Sequence, residues 1–271
     1  MTRTARRASA PRGGLRVHLL NGFRVDVGDR EVLLPAHAQR VLAFLALSHR
    51  ADGGLRRTTL AEQLWGDCTY QRAQASLRTS IWRIRQAHEG LVTADRERVD
   101  LGEHVEVDVA RSLAQAGRLL AEEQELDARD VSIAELVADL LPGWEEGWLL
   151  LERERVRQVR IHALEALAHR QCRLGRLVPA LDAAYAAIAA EPLRESAHAA
   201  LVEIHLAQSN VVDARRQVDR YARLLWDEMR LRPSDALVAR VTTGPVVPAP
   251  RVSPENRPRD VVTRSRQPRS S

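Results

Sequence analysis

The sequence predicts a mainly α-helical fold in which a small α+β unit precedes an all-α unit. Three observations predict it. Short alternating segments with turn signals occupy residues 15–33, three helical segments follow, and two more short alternating segments occupy residues 91–101. From residue 110 to residue 240 only helical periodicity is found. A small sheet, three helices and a β-hairpin in this order predict a winged helix-turn-helix, here followed by a tetratricopeptide-like helical domain.

The N-terminal strands are predicted within the segment LRVHLLNGFRVDVGDREVLL. Three antiparallel strands are expected at about Arg16–Leu20, Phe23–Val27 and Glu31–Leu33, because turn signals at Asn21-Gly22 and Gly28-Asp29 separate them. A helix is predicted after them, between Pro35 and Ser48-His49. Its apolar residues are Ala38, Val41, Leu42, Leu45 and Leu47.

The next segment predicts a short helix and a longer one. Thr59 and Glu62 have the spacing of a capping box, in which each side chain satisfies a free backbone N–H at a helix start. The longer helix is predicted at Tyr70–His88, because apolar residues recur there at helical spacing. The residues expected to face a core are Ala73, Leu77, Ile81 and Ile84.

The opposite side of the longer helix is expected to be positive. A projection at about 3.6 residues per turn places on that side Arg72, Ala75, Thr79, Arg83 and Gln86, flanked by Ser76, Arg78 and Trp82. An α-helix fits the DNA major groove, where arginine, threonine and serine side chains can meet phosphates and base edges. The face is therefore a candidate DNA-binding surface. The alternative is the solvated charged face of an ordinary surface helix.

A β-hairpin is predicted directly after this helix. Its strands are Leu91–Ala94 and Arg98–Leu101, joined by the turn Asp95-Arg96-Glu97. In a winged helix-turn-helix this hairpin is the wing, so Arg96 and Arg98 could reach the adjacent DNA backbone or minor groove. The alternative is that both arginines are ordinary turn residues.

The helical region contains an internal repeat. Residues 175–180 (GRLVPA) align with residues 209–214 (SNVVDA) at an offset of 34 residues. Each segment is a polar turn followed by a small residue at the start of the next helix, and the period matches tetratricopeptide helix pairs. Such pairs bury one another and leave a groove for a partner. A nonrepetitive helical bundle is the alternative.

Composition bounds the class of protein. The chain has 271 residues, 45% hydrophobic and 28% charged, as in soluble globular proteins. All 41 basic residues are arginine, which indicates a GC-rich genome. Because this is a codon effect, the net charge of +5 is weak evidence for a function. No apolar run is long enough to span a membrane, and the N-terminus lacks the apolar core of a secretory signal. A cytoplasmic, nucleoid-associated protein without membrane contact is expected.

No catalytic or metal site is predicted. Cys68 and Cys172 lack CxxC spacing, and the nine histidines are scattered without an H-x-x-x-H pair. No Ser/His/Asp or Cys/His constellation and no G-x-x-x-x-G-K-[ST] phosphate loop is found. Glu145 and Glu146 are expected in a turn between helices, with a solvated or capping role. We therefore expect a protein that is not an enzyme and needs no cofactor.

Four regions are expected along the chain. Residues 1–13 form a disordered basic arm, 14–105 the winged helix-turn-helix DNA-binding domain, 106–241 the helical repeat domain and 242–271 a disordered Pro/Arg-rich tail that cannot bury a core. Residues 121–148 contain nine acidic residues and a single arginine, which makes the middle of the chain a poor nucleic-acid surface.

Two blocks of the sequence resemble one family of regulators. The first, LAEQLWGDCTYQRAQASLRTSIWRIRQAHEGLV, resembles the DNA-binding half of the Streptomyces antibiotic regulatory protein (SARP) family, with its OmpR-type winged helix. The second, LLPGWEEGWLLLERERVRQVRIHALEALAHRQCRLGRLVPALDAAYAAI, resembles the bacterial transcriptional activation domain that follows it in those regulators. The pairing of both blocks, over about residues 15–240, is more specific than either alone.

The resemblance implies a transcriptional regulator, an activator of a biosynthetic or other target operon. It would bind double-stranded promoter DNA, often as tandem copies or a homodimer on direct repeats, and its helical domain would self-associate or contact RNA polymerase. The family's helix pattern falls on Leu77, Ile81, Arg83, Ile84 and Arg85, which places Arg83 and Arg85 facing or flanking DNA. The predicted DNA-binding residues are Arg72, Ser76, Arg78, Thr79, Arg83, Arg85, Arg96 and Arg98.

Ala75 and Trp82 depart from the family pattern. OmpR-type helices often carry arginine or asparagine at the first position and a polar or basic residue at the second. The two replacements leave fewer hydrogen-bonding groups for base edges, so altered or weak sequence specificity is expected. The alternative function is a helical-repeat adaptor or scaffold whose winged helix does not read DNA sequence.

Overall fold

The structure is a computed structural model that describes residues 14–48, 54–121 and 132–242. The predicted basic arm lies outside these residues, as does the predicted C-terminal tail apart from its first residue. Ten residues of the acidic stretch, 122–131, also lie outside them.

The elements follow the predicted order. The first part of the chain contains β1 (Leu15–His18), β2 (Arg24–Val27), β3 (Arg30–Glu31), α1 (Ala36–Ser48), β4 (Leu55–Arg56), α2 (Arg57–Trp65), α3 (Tyr70–Ala87), β5 (Val92–Ala94), β6 (Arg98–Leu101) and β7 (Val105–Val107). The second part contains α4 (Asp108–Leu120), α5 (Ile133–Val137), α6 (Gly147–Arg173), α7 (Leu177–Ala190), α8 (Glu195–Ala207), α9 (Val211–Met229) and α10 (Asp235–Thr242). The predicted fold class is confirmed.

The N-terminal sheet has four strands in the order β3-β2-β1-β7. β1, β2 and β3 pair antiparallel, and Asn21 and Gly28 in the connecting turns have φ angles of 60° and 65°, in the left-handed region. β7 was not predicted; it pairs parallel with β1, with Leu15 opposite Val105. The predicted domain boundary between residues 105 and 106 therefore falls inside a strand of this sheet.

A second sheet, β4-β6-β5, contains the predicted hairpin and one additional strand. The hairpin is confirmed, whereas the two-residue strand β4 was not predicted. α2 begins directly after β4. At its first residue the Arg57 N–H donates to the Glu97 carbonyl at 2.8 Å, and no side chain caps the helix. The predicted capping box of Thr59 and Glu62 is therefore wrong, and Thr59 lies inside the helix.

α3 agrees with the predicted helix to within one residue. It packs against α1 and α2. Leu77 and Ile84 are completely buried, and Ser80 lies with them on the inner face. The buried residues of α3 are Ala73, Leu77, Ser80, Ile81 and Ile84, which include all four apolar residues predicted to face a core.

The helical repeat is visible in the hydrogen bonds of its turns. Gly175, between α6 and α7, and Ser209, between α8 and α9, have φ angles of 70° and 60°. The N–H of the residue after each donates to the carbonyl five positions earlier, at 2.9 Å in the first turn and 2.8 Å in the second. Equivalent backbone geometry at an offset of 34 residues favours the helix-pair repeat over a nonrepetitive bundle.

One hydrophobic core joins the two parts of the chain. Leu140, Leu141 and Leu149 are buried together with residues of the winged helix. Phe23 stacks on Trp144 with ring centroids 5.8 Å apart, and Phe44 meets Trp148 edge-on at 5.0 Å. The winged helix therefore depends on the helical domain for part of its core.

Glu146 adds a polar link at the same junction. Its Oε2 accepts a hydrogen bond from Arg40 Nη2 of α1 at 2.8 Å and another from Trp148 Nε1 at 3.1 Å. The expected solvated or capping role fits Glu145, which is exposed, but is wrong for Glu146, which is half-buried between the two parts. The sequence indicates a carboxylate beside tryptophans but does not indicate its distant arginine partner.

Candidate nucleic-acid interface

The outer face of α3 is exposed as the helical projection predicts. Within it, Ser76 is half-buried, and the indole of Trp82, the largest side chain of the face, is 51% exposed. α3 contains no acidic residue. The exposed residues predicted for this face or its flanks are Arg72, Ala75, Arg78, Thr79, Trp82, Arg83 and Gln86. The face can offer positive charge and hydrogen-bond donors to an anionic partner.

The arginines of this face differ in their contacts. The guanidinium of Arg83 lies over the Trp82 ring, 4.8 Å from its centroid, in a cation–π contact. Arg72 and Arg78 are exposed, and neither side chain has a hydrogen bond or ion pair to any residue that the structure describes. These two side chains are therefore free to meet phosphate groups.

The tip of the wing is a turn organised by Asp95. The backbone N–H groups of Arg98 and Glu97 each donate to Asp95 Oδ1 at 2.7 Å. These bonds lower the pKa of the Asp95 carboxyl below its ordinary value, and the bond from Arg98 has the larger effect. Arg96 lies at the apex of this turn and is exposed.

Two arginines attach the wing to the helices. Arg85 Nη2, at the C-terminal end of α3, donates to the Ala94 carbonyl at 2.9 Å, and Arg57 Nη1 of α2 donates to the Asp95 carbonyl at 2.9 Å. Arg85, one of the predicted DNA-binding residues, is exposed yet fixes the wing against α3. Arg85 therefore positions the wing relative to α3, in addition to any contact that it makes with DNA.

Arg98 also combines exposure with a contact that fixes the wing, and its neighbour Arg56 was not predicted as part of the surface. Arg98 Nη1 donates to the Gly54 carbonyl at 2.8 Å, while the residue remains exposed on β6. Arg56 of β4 lies directly opposite Arg98 in the register and is also exposed. Arg56 therefore adds a second exposed arginine beside the wing and extends the candidate surface.

Two other kinds of feature, a metal site and a membrane-spanning helix, are absent from the described residues. No group of three or more His, Cys, Asp or Glu side chains there is arranged to hold a metal ion. Among the same residues, no helix is long and apolar enough to cross a bilayer.

Comparisons with known proteins agree with this architecture. A family model, the bacterial transcriptional activator domain, matches residues 99–242, which is more than half of the chain. A search of curated proteins found no match. A solved structure of EmbR from Mycobacterium tuberculosis, in complex with a low affinity phosphopeptide, is similar with a TM-score of 0.67 and 18% sequence identity. The similarity covers 84% of this chain and 64% of the EmbR chain, so this chain spans less than two thirds of that one.

The fold and the matched domain define a protein in which a helical domain of the bacterial transcriptional activator type follows a winged helix. The chain belongs to the bacterial transcriptional activator domain family. The resemblance to SARP-type regulators is confirmed by the family match together with the similarity in fold to EmbR.

Proposed function

We propose that this protein is a transcriptional regulator that binds double-stranded promoter DNA through an OmpR-type winged helix and activates a biosynthetic or other target operon. One observation carries the proposal. α3, which has no acidic residue, buries its apolar side and exposes the side that bears Arg72, Thr79 and Arg83. A helix of this kind, placed third and followed by a wing, has the form that enters the major groove.

The residues of the proposed surface have different roles. Arg72, Arg78 and the wing residue Arg96 contact phosphates and set the register of the protein on the duplex. Thr79 and Arg83 read base edges, since arginine can donate two hydrogen bonds to the O6 and N7 atoms of guanine. The remaining members of the surface supply flanking or wing contacts, and they are Arg56, Ser76, Arg85 and Arg98.

The helical domain would supply the contacts between proteins. On promoter repeats it would hold a homodimer or tandem copies together, or contact RNA polymerase, as helix-pair domains bind partners in their grooves. These functions would place the protein at the nucleoid in the cytoplasm.

The proposal is tested by titrating the full chain with a fluorescent random-sequence duplex at several salt concentrations. The logarithm of the binding constant should fall linearly with that of the salt concentration, by about 0.9 for each phosphate that is neutralised. The full chain is required because its two parts share one hydrophobic core. Absence of binding at roughly 50 mM salt, where phosphate contacts are strong, would contradict the proposal.

Replacing Arg96 with alanine should weaken binding to every duplex alike and lower the salt slope by about one. The reason is that Arg96 lies at the wing tip, where it can contact phosphate but makes no described contact that supports the fold. The same titration measures both quantities. Arg118→Ala is the matched control, since Arg118 is an exposed arginine on α4 in the helical domain. An unchanged slope in Arg96→Ala would remove this residue from the interface.

A second function is favoured by a specific observation. Trp82, at the flank of the exposed face of α3, is 51% exposed, and Tyr70 at the start of α3 is 60% exposed. Exposed aromatic side chains are common at protein interfaces, so the alternative is an adaptor whose winged helix binds protein. If the full chain binds no DNA and Trp82→Ala abolishes a protein complex, the adaptor function replaces the regulator bound to DNA.

A further inference from the structure

A cavity of about 540 Å³ lies between α6, α7 and the segment 136–143, on the helical side of the domain junction. Its volume is in the range of small-molecule sites. The walls are mostly apolar and include Leu136, Leu140, Val156, Ile161 and Ala186. The cavity is therefore suited to an apolar body of small size.

One charged side chain is buried in the wall of this cavity. Arg160 of α6 is only 6% exposed, its Nη2 donates to the Glu135 carbonyl at 2.9 Å, and its Nε has no hydrogen-bond partner. Burial lowers the pKa of this guanidinium, and the charges of Asp139 and Asp108 offset the effect only in part. A buried charge that lacks a paired carboxylate is unfavourable unless another group compensates it.

The other charged groups of the wall leave the cavity positive. Arg153 donates to the carbonyls of Leu140 and Leu141. Arg157 pairs with Glu154 and Glu191, so its charge is already compensated. The only acidic residue among the described lining residues is Asp139. No carboxylate of the described chain forms an ion pair with either Arg153 or Arg160.

We propose that this cavity binds a small organic anion with an apolar body, whose anionic group accepts a hydrogen bond from Arg160. The apolar walls take the body, and the buried guanidinium takes the charge. This proposal rests on the geometry of the helical domain alone, so it does not depend on the proposed binding of DNA.

The location links the cavity to the winged helix. The Asp139 carbonyl accepts a hydrogen bond from the Asn21 N–H at 2.7 Å, and the Leu141 N–H donates to the Leu19 carbonyl at 2.8 Å. The segment that forms one wall of the cavity thus also pairs with residues 19–21, directly after β1. A bound anion would slow the exchange of these two amide hydrogens, because it would hold the segment in place.

The probe for the test is 1-anilinonaphthalene-8-sulfonate, an organic anion whose fluorescence rises in apolar surroundings. It should bind the full chain saturably, with one site per chain. Arg160→Met should weaken that binding by about tenfold or more, the effect of losing a hydrogen bond to a charged group. Binding of the uncharged analogue N-phenyl-1-naphthylamine should change by less than about twofold, because its interactions are apolar.

Two further variants keep the test decisive. Arg155→Met removes an arginine from the same helix, outside the cavity wall and paired with Glu152, and should leave binding unchanged. Ala186→Phe places a phenyl ring in the cavity wall and keeps Arg160 in the sequence. It should abolish binding of both probes, which covers the case in which Arg160→Met does not fold. Unchanged affinity in Ala186→Phe, or protection from hydrogen exchange confined to residues outside 136–161 and α7, would overturn the proposal.

Discussion

Replacing Asp108 with alanine should lower the free energy of unfolding by about 2–5 kcal/mol, the cost of losing charged hydrogen bonds and leaving donors unpaired. Asp108 is the first residue of α4. Its carboxylate accepts hydrogen bonds from the backbone N–H groups of Leu19 at 2.9 Å and Leu20 at 3.0 Å. Leu19 is fully buried, so water cannot replace the lost acceptor there without opening the core. Urea denaturation followed by circular dichroism measures the change.

The neighbouring residue Glu106 provides the control for Asp108. It is an exposed carboxylate on β7, and Glu106→Ala should change the free energy of unfolding by no more than about 0.5 kcal/mol. Asp108→Asn retains one carbonyl acceptor and should fall between the wild type and Asp108→Ala. A loss below about 0.5 kcal/mol in Asp108→Ala would show that this carboxylate does not hold the sheet to the helical domain.

Arg83→Ala should reduce the free energy of binding to a target sequence by about 1–3 kcal/mol and affect random duplex much less, if Arg83 pairs with guanine through two hydrogen bonds. The Arg83 side chain is exposed on the outer face of α3, and it remains exposed there while its guanidinium contacts the Trp82 ring. Fluorescence anisotropy with both duplexes at fixed salt measures the difference.

Arg83→Lys separates base reading from phosphate contact. Lysine keeps the positive charge but lacks the planar fork of donors that matches guanine. Arg83→Lys should therefore bind random duplex like the wild type and still lose most of its preference for the target sequence. Equal losses on target and random DNA in Arg83→Ala would exclude base reading by this residue.

The candidate surface on α3 could be predicted because its signal is local. Residues at a spacing of 3.6 share a face wherever a helix forms, so Leu77 and Ile84 identify the buried side and Arg72 and Arg83 the opposite one. The turn at Ser209 was likewise predictable, because the repeat at Gly175 provides a second copy of the same pattern.

The missed strands depend on partners that are distant in sequence. β7 is defined by its pairing with β1, in which Val105 lies opposite Leu15, and β4 by the pairing of Leu55 with Val99. Strands of two or three residues carry too little alternation to be recognised alone. The predicted start of α2 at Thr59 was wrong for the same reason. The Arg57 N–H pairs with the Glu97 carbonyl of the wing, which is distant in sequence.

The burial of Arg160 could not be predicted for a related reason. It lies in the segment RERVRQVR, where regularly spaced arginines have the appearance of a solvated helix face. Only the packing of α5 and the segment 136–143 against α6 distinguishes it from Arg155, which stays partly exposed and ion-paired. Glu146 was misjudged similarly, since its partner Arg40 is on α1.

Recognition of promoter DNA by α3 is tested by a selection of fragments of the source genome with the purified full-length protein, followed by sequencing of the bound fragments. We expect a small number of enriched loci that carry spaced direct repeats, and we expect the enrichment to disappear in a variant with Arg72→Ala and Arg83→Ala. Retention of DNA without enrichment of any locus would contradict base reading by α3. Failure to retain any fragment would contradict DNA binding itself and favour the adaptor function.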